Sequence, residues 1–465
     1  MSNPLTPVLE QIESDFENAI KRLQTFLQIP SISTNPEYKS EVRRCAQHIT
    51  DELHSIGLTA TLHDTIGHPM VVATDDSACK DAPRILYYGH YDVQPVEPLD
   101  EWEHPPFEGV VIDGPIGKRF VARGAADDKG QLMTFIEAIR AWKHVHGSLP
   151  VRIVILLEGE EESGSESLVP FLTEHKDALQ ADTCIVCDTS MWDKNTPAIT
   201  SRLRGIVYIE ATLHGPSHDL HSGGYGGAVV NPANALTKIL GQLHDDDGRI
   251  QIDGFYDDVI EVSAEQVAQW NALGDADALT LKGSGAKATF GEKGYSTLER
   301  LWSRPTCDIN GLLAGYIGEG AKTVIGAKAT AKISCRLVAN QNPKQIQEAL
   351  FSFLKDRTPI GCRWDFKNFG ASPAIAVPTE SPWLTAAIKS LTAVFPNPTV
   401  TIGTGGSIPV VGEFQEILGV DTVMIGFSLD DDLIHAPNEK FEVTCFKRGI
   451  LSHATILEAY ANITP

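Results

Sequence analysis

Four short apolar runs, at residues 70–73, 85–88, 151–157 and 183–186, show no alternation of polar and apolar side chains. A strand with one face in water alternates, whereas one that is hydrophobic throughout is covered on both faces. A helical pattern fills residues 131–142 between the runs. Buried strands interleaved with helix define an α/β fold, with a mostly parallel sheet sandwiched by helices. Two amphipathic helices are expected ahead of it. Leu9, Ile12, Phe16, Ile20, Leu23 and Leu27 recur at helical spacing until Pro30, and Val42, Cys45, Ile49, Leu53 and Ile56 repeat the pattern up to Gly57.

From about Arg204 the texture changes. A strand-like stretch at 206–213 leads to glycines at 223–227, a helix from Pro232 and a long region rich in Gly, Asp and Ala that reads as irregular. Ile333, Cys335 and Leu337 alternate with polar residues, giving a half-exposed strand whose polar face carries Arg336. A helix follows from Pro343. After about Ala371 the first texture returns, with a helix near 383–395, a strand at 422–427 and a last helix over 446–460. The expected organisation is a large domain made of residues 1–203 and 372–465, interrupted by a smaller α+β domain at 204–371.

The balance of 38 basic and 61 acidic residues, net −23, opposes binding to nucleic acid or an anionic membrane. No stretch approaches the roughly 20 apolar residues of a membrane span. Residues 1–30 show no basic head followed by an apolar core, so the expected address is cytoplasmic. Eight scattered cysteines fit that reading. Cys184 and Cys187 fall inside an apolar run, with no second pair to complete a metal or redox site, and read as buried strand residues.

The runs end in metal-type ligands. His90 and Asp92 close one, Glu161 and Glu162 follow another, Asp188 follows a third, and Asp127 and His435 are read in the same way, each at the end of a strand-like run. Two imidazoles and several carboxylates without thiolate suit Zn²⁺, Mn²⁺ or Co²⁺ in hydrolytic chemistry. A parallel sheet gathers such loops at one edge although they lie far apart in sequence. His90 and Asp92, two apart, point the same way on an extended backbone, so Asp92 is placed to accept the second N–H of His90. Glu161 and Glu162, adjacent, diverge. One of them can ligate while the other acts as general base.

The motifs that hold these residues are 89–95 (GHYDVQP), 123–130 (RGAADDKG), 161–165 (EESGS), 219–223 (DLHSG), 405–409 (GGSIP) and 435–439 (HAPNE). Together they resemble the acetylornithine deacetylase/succinyl-diaminopimelate desuccinylase/carnosinase family of dimetal peptidases, in its cytosolic dipeptidase branch. The resemblance covers nearly the whole chain. It implies that Asp127 bridges two divalent ions, with His90 and Asp188 completing one site and Glu162 and His435 the other. It also implies Glu161 as general base, Asp92 behind His90, and a cis peptide after Asp127. The inserted domain would be a lid and dimerisation domain whose His221 and Thr323 serve the partner subunit of a homodimer. Arg336 and Ser407 would hold the carboxylate of a small peptide or acyl-amino-acid substrate.

One position departs from the animal dipeptidases, which carry a glutamate where this chain has Thr404. Without that carboxylate to meet a substrate ammonium, N-acyl- and N-carbamoyl-amino acids stand beside dipeptides as substrate classes. A non-catalytic binding protein of this fold would have lost a ligand or Glu161, and all are present.

Overall fold

The computed structural model describes residues 4–377, 380–405 and 409–463. By its internal contacts the chain forms two units, one of residues 1–201, 377–402 and 410–465, the other of residues 202–376 and 403–409.

In the first unit the main sheet runs Thr59–His63, Met70–Asp75, Arg152–Glu158, Arg84–His90, Thr183–Cys187, Thr422–Ile425, Ala198–Leu203. The parallel order expected from the sequence holds for the central strands Arg152–Glu158, Arg84–His90, Thr183–Cys187 and Thr422–Ile425. Toward both edges the pairing turns antiparallel, so the sheet as a whole is mixed. Ile153–Leu157 and Cys184–Cys187 have no accessible surface, which is why these strands read as unbroken apolar runs. Cys184 and Cys187 lie in the wholly buried strand Thr183–Cys187.

Helices supply the remaining layers. Leu5–Leu27, Lys129–His146, Pro382–Val394 and Val443–Tyr460 pack on one another, and Lys39–Ser55 packs on the first two strands. Their buried residues join those of the sheet in one core. Lys129–His146 is buried through most of its length and sits close to the loop before it. A Cβ at Gly130 would lie 1.9 Å from the Ala125 carbonyl oxygen, so only glycine permits this entry into the helix.

A small antiparallel sheet orders Lys440–Glu442, Gly117–Val121 and Val110–Gly114. The sequence reading did not include it, because Val110–Gly114 and Gly117–Val121 are short and only partly buried, and Lys440–Glu442 has just three residues. It matters for the site. Neighbouring antiparallel strands run in opposite senses, so the loop leaving Gly117–Val121 and the loop entering Lys440–Glu442 meet at one end.

The second unit is an antiparallel sheet ordered Thr306–Ala314, Lys328–Leu337, Gly205–His214, Arg363–Ser372. Helices Pro232–Leu240 and Pro343–Asp356 pack on it over a separate core that includes Val207, Ile209, Ile333 and Leu350. Two of its strands escape a reading by pattern. Thr306–Ala314 lies at the sheet edge and is largely exposed, and Arg363–Ser372 loses its alternation where the register slips between Asn368 and Gly370. The region expected to be irregular holds three helices, Ala264–Asn271, Ala276–Ser284 and Thr297–Trp302. Each begins at a capping residue, Ser263, Asp275 or Ser296, whose side chain accepts a backbone N–H of the helix's first turn. Such caps start short helices that periodicity alone does not reveal. Among the described residues no helix is long and apolar enough to cross a membrane.

Candidate metal centre

His90 is the last residue of Arg84–His90, and in the parallel ladder it pairs with Glu158, three residues before Glu161. Asp188 directly follows Thr183–Cys187. These ligands come together because central parallel strands end at one edge. Asp127 arrives differently from the sequence reading, on the loop that leaves the small sheet. His435 stands on the loop that enters it.

Asp127 holds the centre. Its Oδ1 lies 3.0 Å from His90 Nε2 and its Oδ2 lies 2.9 Å from His435 Nε2. Asp188 Oδ2 is 3.8 Å from His90 Nε2, and Glu162 Oε2 is 3.3 Å from His435 Nε2. Two triads result, His90–Asp127–Asp188 and Asp127–Glu162–His435, each with its ligand atoms within 4.8 Å of one another. The Asp127–Asp128 peptide is cis.

Surrounding groups fix these side chains. Glu439, fully buried, spreads its carboxylate over the Asp127 loop. One oxygen accepts the N–H groups of Ala126 and Asp127 at 2.9 and 3.1 Å, and the other accepts Arg123 Nη1 and the Gly124 N–H at 2.7 and 3.0 Å. Glu439 follows His435 by four positions, so this one carboxylate ties the two loops together. The His435 loop has left-handed backbone at Leu433, His435 and Asn438, with φ of 56°, 63° and 66°. Non-glycine residues hold that conformation only where their surroundings over-determine it. Here the Asn438 side chain accepts the Glu103 N–H at 2.7 Å and donates to the Glu101 carbonyl at 2.8 Å.

Behind His90, Nδ1 lies 3.1 Å from the main-chain oxygen of Asp92 and 3.4 Å from its Oδ1, so the backbone carbonyl is the nearer acceptor. Asp92 Oδ2 accepts the Glu162 N–H at 3.1 Å, and Gln94 Nε2 donates to Glu162 Oε2 at 2.7 Å. Glu439 and Gln94 lie inside recognised motifs, yet their roles were not read from sequence. Their partners are remote along the chain, and one of the two works through main-chain donors.

The charges demand cations. Burial raises the Asp188 pKa well above the carboxylate range, with the Asp127 charge adding to it, and burial likewise raises Glu161. Burial also opposes ionisation of Asp127, but hydrogen bonds from His435 and His90 outweigh it and hold the carboxyl far below its usual value. Hydrogen bonds to Asp127 and Glu162 bring His435 up to about 10. Burial disfavours charge on His90, and its contacts with Asp127, Asp92 and Asp188 overcome this to raise it. Protons on the imidazoles thus do the work that divalent ions would do. Among the described residues, Glu162 Oε1 and Asp92 Oδ1 are buried without a hydrogen-bond partner. Hard oxygen and imidazole nitrogen donors, arranged in two triads about a shared carboxylate, fit a pair of such ions.

Of the other expected residues, His221 and Thr323 lie together in the second unit. The strands Leu220–His221 and Val324–Ile325 pair, both side chains are exposed, and the Ser222 N–H donates to the Thr323 carbonyl at 3.1 Å. Arg336, in the same unit, stands half-buried opposite Ile206. Ser407 lies outside the described residues.

Two His–carboxylate triads sharing one aspartate on an α/β sheet have the donor set of a two-ion hydrolytic centre. The chain belongs to Peptidase family M20/M25/M40, whose family model matches residues 86–459. It is 30% identical to the Cys-Gly metallodipeptidase DUG1 of Saccharomyces cerevisiae over 99% of both chains. Identity to the human beta-Ala-His dipeptidase is 28%, over 94% of this chain and 89% of that one. Among solved structures, the M20 family metallo-carboxypeptidase Sso-CP2 from Sulfolobus solfataricus matches with a TM-score of 0.79 and 32% identity, covering 96% of this chain and 99% of that one. The protein is a metallopeptidase.

A pH dependence follows. Metal ligation needs neutral imidazole, and in the metal-free protein His435 stays protonated up to about pH 10. Loading an ion therefore displaces at least one proton at neutral pH, and apparent affinity rises with pH by about tenfold per unit for each proton displaced. Zn²⁺ titration of weakly buffered metal-free protein should acidify the solution. Affinity that stays constant between pH 7 and pH 9 would contradict the protonated site.

Proposed function

We propose that this enzyme hydrolyses the amide bond of dipeptides and similarly small substrates that end in a free carboxylate. The observation that carries the reading is Glu161. Its carboxylate is mostly buried among His90, Glu162, Asp127 and Asp92, with no hydrogen bond or ion pair among the described residues. A carboxylate that is raised by burial and not committed to another group suits proton transfer. The names of the relatives, a Cys-Gly dipeptidase and a beta-Ala-His dipeptidase, support a dipeptide substrate.

In this reading His90, Asp127 and Asp188 hold one divalent ion, and Asp127, Glu162 and His435 the other, with Zn²⁺ or Mn²⁺ the expected metal and Co²⁺ accommodated by the same donors. When bound, the ions supply Lewis-acid polarisation of the scissile carbonyl and a water of lowered pKa. Glu161 takes a proton from the attacking water and returns it to the leaving amine. Asp92 holds the His90 ring in place. Arg336 and Ser407 grip the substrate carboxylate through charge-assisted hydrogen bonds. His221 and Thr323, exposed on the second unit, reach the active site of a partner subunit in a cytoplasmic homodimer, where His221 donates to the oxyanion that develops at the carbonyl.

Replacing Glu161 by Gln should lower turnover by at least 10²–10⁴-fold while metal content stays near wild type, whereas Glu162→Gln should lose metal. Substantial turnover by the Glu161 variant would end its assignment as base. A C-terminally amidated dipeptide should be the poorer substrate by about 1.5–3 kcal/mol, and Arg336→Ala should narrow that gap; equal hydrolysis by the wild type would remove the clamp. The subunit arrangement is tested by mixing two inactive variants, His221→Ala and Glu161→Ala, after dissociation. A heterodimer then has one site with its own Glu161 and an intact His221 from the other subunit, and activity should return at one site of two. A proven heterodimer no more active than its parents would refute the exchange.

A further inference from the structure

In the strand Gly205–His214, Gly205, Val207, Ile209, Ala211 and Leu213 are buried in the core of the second unit, while Ile206, Tyr208 and Glu210 are half-exposed on the other face. Arg204 immediately precedes this strand and is in phase with the half-exposed set. Arg336 pairs directly with Ile206, so it shares that face, one diagonal step from Arg204. Two guanidinium groups thus stand side by side at one end of a sheet in a chain whose net charge is −23.

Arg204 does not snorkel away from its neighbour. Its Nε is buried with no hydrogen-bond partner among the described residues. Its head lies against the backbone of Gly405, where an added Cβ would sit 2.7 Å from Nη2. Burial and then the Arg336 charge bring the Arg204 pKa down to about 10, with Asp308 offsetting this in part. A partly buried cation with a donor that no described residue meets, set beside a second cation, costs free energy until an anion meets it.

We infer that Arg204 is a second cationic contact for the substrate's carboxylate, acting beside Arg336. This role rests on the proposed preference for substrates with a free carboxylate. The two guanidinium groups offer donors from two directions, so the carboxylate is bound by position as well as by charge.

The experiment measures KM and kcat of the metal-loaded enzyme for one dipeptide and for its C-terminal amide. In Arg204→Gln the KM of the free acid should rise roughly tenfold to a hundredfold, with the amide little changed and kcat nearly constant, because the contact is made equally in ground and transition states. Thermal unfolding is followed alongside. If Arg204→Gln does not fold, Arg204→Lys keeps the charge and loses the planar fork, and should show a smaller shift in the same direction. A variant that folds and keeps the wild-type preference for acid over amide overturns the role of Arg204 alone, as does a loss that falls equally on both substrates. A wild-type enzyme that treats acid and amide alike overturns the carboxylate reading itself, and Arg204 with it.

Discussion

Asp127 is the group on which the rest of the centre depends. Its two oxygens face two imidazoles at 3.0 and 2.9 Å, and each oxygen also belongs to a triad with a further carboxylate. Acids packed this closely cannot all stay ionised without compensating positive charge. The upward shift of Asp188, the upward shift of His435 and the downward shift of Asp127 are three expressions of that single constraint. Removing one partner from such a set leaves an uncompensated buried charge, which is far costlier than any one contact is stabilising.

Two sheets cooperate to meet the constraint. The main sheet delivers His90, Asp188 and the pair Glu161 and Glu162 from the ends of adjacent parallel strands. The small antiparallel sheet delivers Asp127 and His435, and Glu439 locks their two loops together with four hydrogen bonds to one loop from a residue of the other. Main-chain N–H groups make three of those bonds, so the lock does not draw on the side chains at Ala126 and Asp127, while at 124 the left-handed backbone (φ 83°) and Val93, 2.6 Å from an added Cβ, call for glycine. What it requires is a carboxylate at 439 and backbone that can approach it.

Legibility in the sequence followed the same division. His90, Asp188, Glu161 and Glu162 could be read because unbroken apolar runs announce buried parallel strands, and ligands at their ends must converge. Asp127 and His435, read as following runs of the same kind, stand instead on the loops of a small sheet, where Val110–Gly114 and Gly117–Val121 are short and partly exposed and Lys440–Glu442, though buried, is only three residues long. Glu439 and Gln94 were passed over because hydrogen bonds to distant partners leave no spacing to read. In the second unit the strand at 306–314 was hidden by its exposure, and the helix Thr297–Trp302 was missed although Ser296 and Glu299 form a capping box that was present in the sequence. Arg204 offers no pattern at all. Its neighbour Arg336 is remote in the chain and is brought close by strand register.

The two triads differ in their access to water. His90 is fully enclosed, while the His435 side chain is 51% exposed on its pinned loop. Ligand exchange begins where solvent can compete for a coordination position, and an enclosed imidazole cannot swing away without opening the sheet edge behind it. With ions held as proposed, the centre would have a fast side and a slow side. Under limiting metal or a mild chelator the chain would pass through a form loaded only at the enclosed triad, and regain of the second ion would set the pace at which an idle molecule returns to work.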